Sequence, residues 1–236
     1  MWAVVPAKPF ARAKHRLAAV LSPSERAALA RLMLTDLLGV LAAVGGLSGV
    51  LVVGTDPALS AICTAHDAER VADNDEGHTA AVVCALNALR RRSAGAALVI
   101  SADIPAASTE EIEALLAAHA ADAARGPAMT LVPDRRTDGT NAIACSPPDC
   151  IPYAFGLGSL QRHLAAARAR GVIARTLALP GIALDLDEPD DLAAFLAGAP
   201  DGAAAGFLAD RGVAAKSQAR GSAPGPRWGN APGPIT

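Results

Sequence analysis

Val4-Val5-Pro6-Ala7-Lys8-Pro9-Phe10-Ala11-Arg12-Ala13-Lys14-His15-Arg16 decides how this chain is read. Residues 2–5 form an apolar, buried first strand, which empties at once into a loop with five basic side chains. In an open α/β sheet such a loop reaches the crevice beyond the strands' carboxyl ends, where ligands bind. Lys8, Arg12, Lys14 and Arg16 would be a plain solvated surface elsewhere, but at this position they suit a polyanion. Fixed cations there can stabilise a departing pyrophosphate without reorganising.

Downstream the chain alternates strand and helix. Ser22-Pro23-Ser24-Glu25 reads as a helix start, with a capping hydroxyl, proline at the first helical position and glutamate at the third. Residues 26–44 continue that helix, 49–54 form a strand, and Asp56-Pro57 opens another helix. A short strand at 69–72 leads through Asp73-Asn74-Asp75-Glu76-Gly77-His78-Thr79 into a helix that ends near Arg92. Residues 97–101 are a buried strand ending at Asp103, and Ser108 caps a helix that ends near Arg125. This alternation predicts a mostly parallel sheet with right-handed crossovers and helices on both faces. After residue 127 the pattern changes: 129–132 and 141–145 read as short strands joined by a polar turn. A helix at 160–169, a strand at 175–179 and a last helix at 189–196 follow. One domain over 1–197 is expected, with 198–236 a mobile Gly/Ala/Pro-rich tail that contributes little.

Composition narrows the function. Apolar residues make up 52 % of the 236 but aromatics only 3 %, so Ala, Leu and Val must fill the core. A net charge of -2 argues against bulk nucleic-acid binding, since the basic residues are concentrated locally. Cys63, Cys84, Cys145 and Cys150 show no C-x-x-C spacing and read as free thiols of a cytoplasmic protein. No signal peptide is visible. Residues 37–55 are uncharged and long, but Gly45, Gly46, Ser48 and Gly49 divide them into helix, turn and strand, so no membrane span is expected.

Three further motifs carry chemistry. Asp103 stands at a strand's carboxyl end, and Asp185 and Asp187 stand in a later turn; each can serve as a simple cap. Two carboxylates from separate strands are also the usual way to hold Mg²⁺ shared with substrate phosphates, and Asp103 with Asp185 is the preferred pair. Gly156-Leu157-Gly158-Ser159 runs into a helix whose free N–H groups would make an anion site, or it is an ordinary serine cap. Gly139-Thr140-Asn141 adds a hydroxyl and an amide, so a small anionic substrate could be gripped between the two segments. A G-x-x-x-x-G-K-[ST] loop is absent, and so is a G-x-G-x-x-G at the first turn.

Val5-Pro6-Ala7-Lys8 with Ala13-Lys14-x-Arg16-Leu17, then Leu21-Ser22-Pro23-x-Glu25-Arg26 and Ala102-Asp103-Ile104-Pro105, are followed by Pro133-Asp134-Arg135 with Gly139-Thr140-Asn141-Ala142. Phe155-Gly156-x-Gly158-Ser159 with Arg162-His163, and Leu184-Asp185-Leu186-Asp187-x-Pro189-x-Asp191-Leu192, complete the series. In that order they resemble the 2-phospho-L-lactate or phosphoenolpyruvate guanylyltransferases of deazaflavin coenzyme F(420) biosynthesis. Those enzymes are similar in turn to molybdenum-cofactor guanylyltransferase. The resemblance implies a Rossmann-like α/β fold, similar to nucleotide-diphospho-sugar transferases, with GTP as donor and Mg²⁺ as cofactor. It implies that Thr140, Gly156 and Ser159, beside Asn141, bind the acceptor, and that Asp103 with Asp185 or Asp187 holds the metal. Nucleotide contacts fall to Pro6, Lys8, Arg12, Lys14, Gly77 and Thr79, with Lys8, Lys14 and Asp103 in the catalytic roles. Gly77-His78-Thr79 departs from the family's usual Gly-Leu-Asn at that loop. The expected partners are small molecules, with no nucleic acid and no membrane; a homodimer stays open. A transferase for another acceptor, or a catalytically idle nucleotide-binding module, are the competing readings.

Overall fold

The first strand lies in the middle of the sheet. In the computed structural model, which describes residues 1–198 and 201–213, β1 (Trp2–Pro6) pairs in parallel with β2 (Gly49–Val53) on one side and β4 (Ala97–Ile100) on the other. β3 (Glu69–Val71) extends the sheet beyond β2. Past β4, β6 (Thr140–Ser146) runs antiparallel to both β4 and β5 (Ala128–Pro133), and β7 (Ile173–Thr176) closes the edge parallel to β5. The order is β3-β2-β1-β4-β6-β5-β7. The chain leaves β1 for β2 on one side and reaches β4 on the other, which opens a crevice at the carboxyl ends of β1 and β4.

Strands buried on both faces read as continuous apolar runs, and β4 and β5 are buried throughout. Alternate side chains serve opposite layers. Val5 and Leu98 face a core built with α1 (Pro23–Ala43) and α2 (Leu59–Ala65), while Val4 and Val99 face the layer of α3 (His78–Arg91). α4 (Thr109–Ala123) joins the first layer and α5 (Ser159–Ala169) the second. The capping box forms as read: Ser22 Oγ accepts from Glu25 N–H, and Glu25 accepts from Ser22 N–H. Among the described residues no helix is long and apolar enough to cross a membrane.

Three boundaries differ from expectation. Asp56 accepts from Ala58 N–H at 3.0 Å and Phe10 N–H at 2.9 Å, so it ties the end of β2 to the basic loop, and α2 begins after it. β7 ends before residue 177 because the chain turns into a one-turn helix, α6 (Pro180–Ala183), whose Gly181 and Ile182 N–H groups donate to Glu111. The tail expected from residue 198 begins too early. After α7 (Pro189–Ala197), residues Ala203–Asp210 form α8, which packs on α1. Asp36 accepts from Ala203 and Ala204 N–H, while Ala204, Ala205 and Leu208 are buried. The remainder of the expected tail, 214–236, lies outside the described residues.

Candidate active site

The loop after β1 is folded rather than extended. Two short 3-10 turns, Phe10–Arg12 and His15–Ala19, bury Phe10 and Leu17 and turn Lys14 inward. Lys14 joins the turns in the left-handed region, φ 57°, which a non-glycine residue occupies only when its surroundings hold it. What holds it is charge. Its side chain is 5 % exposed, and the ammonium lies 2.6 Å from Asp103 Oδ2 and 2.9 Å from Asp187 Oδ1. Burial alone would lower the ammonium's pKa, but the two carboxylates outweigh it and hold Lys14 above its ordinary value. Burial would likewise raise Asp103, and Lys14 overrides it and holds the carboxyl below its usual range.

The acidic turn is built onto the same centre. Leu186 N–H donates to Asp103 carbonyl at 3.1 Å, and Asp191, in the first turn of α7, accepts from Asp187 and Glu188 N–H. Asn141 donates from Nδ2 to Ile182 and Ala183 carbonyls and to Asp185 Oδ1 at 3.2 Å. Expected to touch substrate, its amide is largely spent on clamping the acidic turn to β6. Asp185 has no ion-pair partner among the described residues, and burial together with the nearby Asp103 raises its pKa.

Two adjoining compartments, about 300 and 380 Å³, open here. The first is lined by Pro6, Lys8, Arg12, Lys14 and Asp103, and the second by Thr140, Asn141, Gly156, Ser159 and Asp185. Lys8, Arg16, His78, Ser101 and Asp187 line both. Pro6, Lys8, Arg12 and Lys14 of the residues expected at the nucleotide, and all of those expected at the acceptor, are thus brought to two sides of one seam, while Gly77 and Thr79 line neither compartment. Arg12 ion-pairs with Asp75, Arg16 with Glu188, and Gly77 lines a small recess beside Lys8. Thr79 sits apart from these linings, and its hydroxyl accepts from Phe155 N–H at 3.2 Å.

The second compartment corrects one expectation. The amides at the start of α5 are not free: Gly158 N–H donates to Asp138 carboxylate, Ser159 N–H to Gly156 carbonyl and Leu160 N–H to Asp138 carbonyl. Gly156 and Gly158 have φ of 102° and 68°, a region where a side chain is strained. The Arg162 guanidinium binds the Ala154, Phe155 and Leu157 carbonyls and fixes this loop. His78 escaped the sequence reading, where it figured only as a departure from a family pattern. Its ring stands 4.4 Å from Phe155 and its Nε2 is buried without a partner among the described residues. Burial lowers its pKa to about 4, with Asp103 opposing and Lys8 assisting, so the ring is neutral at pH 7.

A divalent cation fits the donor chemistry in one way only. Among the described residues no three carboxylate, imidazole or thiol groups lie close enough to close a metal site by themselves. Mg²⁺ normally takes one or two carboxylates and completes its shell with water and substrate phosphates. Asp103 and Asp187 share the buried Lys14 ammonium, and Asp185 is the carboxylate left without an ion-pair partner among the described residues.

Comparison with known proteins gives the family. Residues 1–223 match the family described as guanylyl transferase CofC like. Phosphoenolpyruvate guanylyltransferase of Sphaerobacter thermophilus is 39 % identical over 201 residues, covering 85 % of this chain and 95 % of that protein. The enzyme of the same name from Rubrobacter xylanophilus is 39 % identical over 193 residues, covering 82 % and 92 %. Among solved structures, a Desulfovibrio desulfuricans protein described as a nucleotide-diphospho-sugar transferase superposes with a TM-score of 0.73 at 15 % identity, over 92 % of this chain and 96 % of its own. CMP:2-keto-3-deoxy-manno-octonic acid synthetase, solved with CTP, gives 0.55 at 14 % identity over 84 % and 98 %, and both show the fold alone. The chain belongs to the guanylyl transferase CofC-like family, and with it to the nucleotidyltransferase enzymes.

Proposed function

We propose that the chain joins GMP from GTP to the phosphate of a small phosphorylated carboxylic acid, releasing pyrophosphate, as a step of coenzyme F(420) biosynthesis. Phosphoenolpyruvate is the first candidate, because the relatives at 39 % identity carry it in their name; 2-phospho-L-lactate is the second. The observation that carries the reading is Lys14 on the first compartment, held by Asp103 and by Asp187, the latter lining both compartments. Lys8 and Arg16 reach both compartments, and the hydroxyls of Thr140 and Ser159 line the second.

An oxygen of the acceptor phosphate attacks the α-phosphorus of GTP in line. That oxygen is already ionised at neutral pH, so the protein needs neither a general base nor a covalent nucleophile. Its work is alignment and charge compensation. Lys8 and Lys14, with Arg12 and Pro6 along the first compartment, receive the triphosphate and stabilise pyrophosphate as it leaves. Thr140, Gly156 and Ser159 hold the acceptor. Asp103 with Asp185 or Asp187 would hold Mg²⁺, which supplies charge neutralisation at the phosphate oxygens. Product mass after incubation with GTP, Mg²⁺ and phosphoenolpyruvate, 2-phospho-L-lactate or 3-phosphoglycerate tests this. A guanylylated acid is expected with one of the first two. Pyrophosphate release only with another nucleotide, or only with a sugar phosphate, would replace the reading by another transferase.

A further inference from the structure

Beneath the second compartment runs a line of hydrogen bonds whose direction the geometry determines. Ala154 N–H donates to His163 Nε2 at 3.0 Å. A neutral imidazole has one donor and one acceptor nitrogen, so a proton on Nε2 is excluded and the hydrogen sits on Nδ1. Nδ1 lies 3.2 Å from Thr140 Oγ1, and Ser159 Oγ donates to the same oxygen at 3.3 Å. A hydroxyl has two lone pairs and one hydrogen. With both lone pairs engaged, the Thr140 hydrogen is left for the direction taken by neither His163 nor Ser159, and Thr140 lines the compartment.

We propose that His163 is a positioning residue: its tautomer, locked by the Ala154 amide, makes Thr140 a pure donor toward an anionic oxygen of the acceptor. This rests on the reading of the second compartment as the acceptor's place. Were the proton on Nε2 instead, Thr140 would donate into the imidazole and turn a lone pair toward the cleft, which repels a carboxylate or phosphate oxygen. The ring is fully buried, with Phe155 edge-on at 5.1 Å, so it has little freedom to turn. Burial, with Arg162 assisting, lowers its pKa to about 4, and the doubly protonated ring, which has no acceptor nitrogen, is absent at neutral pH. A pure donor also selects: it donates to an ionised oxygen and offers no acceptor to an amide N–H in that place.

The tautomer is measured without any substrate. Long-range nitrogen–proton spectra of the histidine-labelled protein at pH 7 should show His163 protonated on Nδ1. Protonation on Nε2, or on both nitrogens, overturns the proposal. The consequence is read in two variants, with folding checked by thermal denaturation. In H163N the amide nitrogen takes the place of Nδ1 and keeps a donor for Thr140; in H163Q the side chain reaches the Ala154 amide but leaves Thr140 without that donor. H163Q should raise the KM for phosphoenolpyruvate about tenfold and H163N only about threefold, with the KM for GTP unchanged in both. Equal rises, or rises confined to GTP, reduce His163 to packing and overturn the proposal. If the wild type guanylylates no acid and phosphoenolpyruvate does not bind calorimetrically, the functional reading has failed instead, and the spectra still decide the tautomer.

Discussion

Replacing Lys14 with methionine keeps the length of the side chain and removes its charge, and the outcome follows from two distances. Unit charges 2.6 and 2.9 Å apart attract by roughly 6 kcal/mol each at an effective dielectric of about 20, before desolvation is counted. Breaking a fully buried pair costs about 3–5 kcal/mol. Here the carboxylates are 32 % and 43 % exposed, so solvent screens them in part and about 2–3 kcal/mol is expected at pH 7. The pH dependence is more diagnostic. Asp103 is held below its ordinary range in the folded protein, so its contribution is complete above the unfolded value near ~3.9 and is lost as pH falls further. Lys14 is held above its ordinary value, so its contribution is complete below about pH 10 and is lost as pH rises through the folded pKa. The wild-type contribution is therefore flat over about pH 5–10. In K14M, burial loses its chief opponent and Asp103 moves up from its wild-type position, so it is protonated more readily on acidification. The gap between the two proteins should narrow between pH 7 and pH 5. Urea denaturation at both pH values measures it. A gap under about 0.5 kcal/mol at pH 7, or one that widens on acidification, would refute the charge arrangement drawn here.

Asp103→Asn should lower turnover at least about a hundredfold and, because it also removes the shorter of Lys14's two ion pairs, should lower the urea midpoint as well, in the same direction as K14M; near-normal activity with Mg²⁺ sinks the metal assignment. At Gly54 an added Cβ would lie 2.4 Å from the Ala7 carbonyl, a backbone atom that cannot move alone, so Gly54→Ala should destabilise by about 2 kcal/mol or more and weaken GTP binding through the basic loop; an unchanged midpoint would show that the loop adapts. Asp36→Ala should remove the acceptor for two α8 amides, cost about 1 kcal/mol and expose 203–210 to protease first. Unaltered cleavage of that stretch would mean that α8 is held by its apolar face alone.

Much of this architecture was legible because it is written locally. The capping box of α1 needs only residues 22–25, and the doubly buried strands announce themselves as apolar runs. The basic loop and the acidic turns could be assigned to one crevice because strand order dictates where their ends emerge. What escaped depends on partners far away in sequence. α8 looks like low-complexity tail until Asp36, 167 residues earlier, accepts its first amide. The amides of α5 look free until Asp138 arrives from the preceding hairpin. Asn141 carries the right chemistry to meet a substrate, yet three contacts to residues 182–185 spend its amide on the acidic turn.

The antiparallel course of β6 has a further result. Because it runs against its neighbours, the start of this strand, not its end, arrives at the mouth of the crevice, and Thr140 and Asn141 come with it. The tip joining β5 to β6 is an exposed hairpin, but it is tied to its surroundings: Asp138 accepts from Gly158 and Leu160 N–H, and Arg135 and Arg136 pair with Asp191 and Glu188. On the proposed reading of the second compartment, exchanging that hairpin between family members, together with the α5 loop and the acidic turn it binds, is the direct route to altering which acid is used.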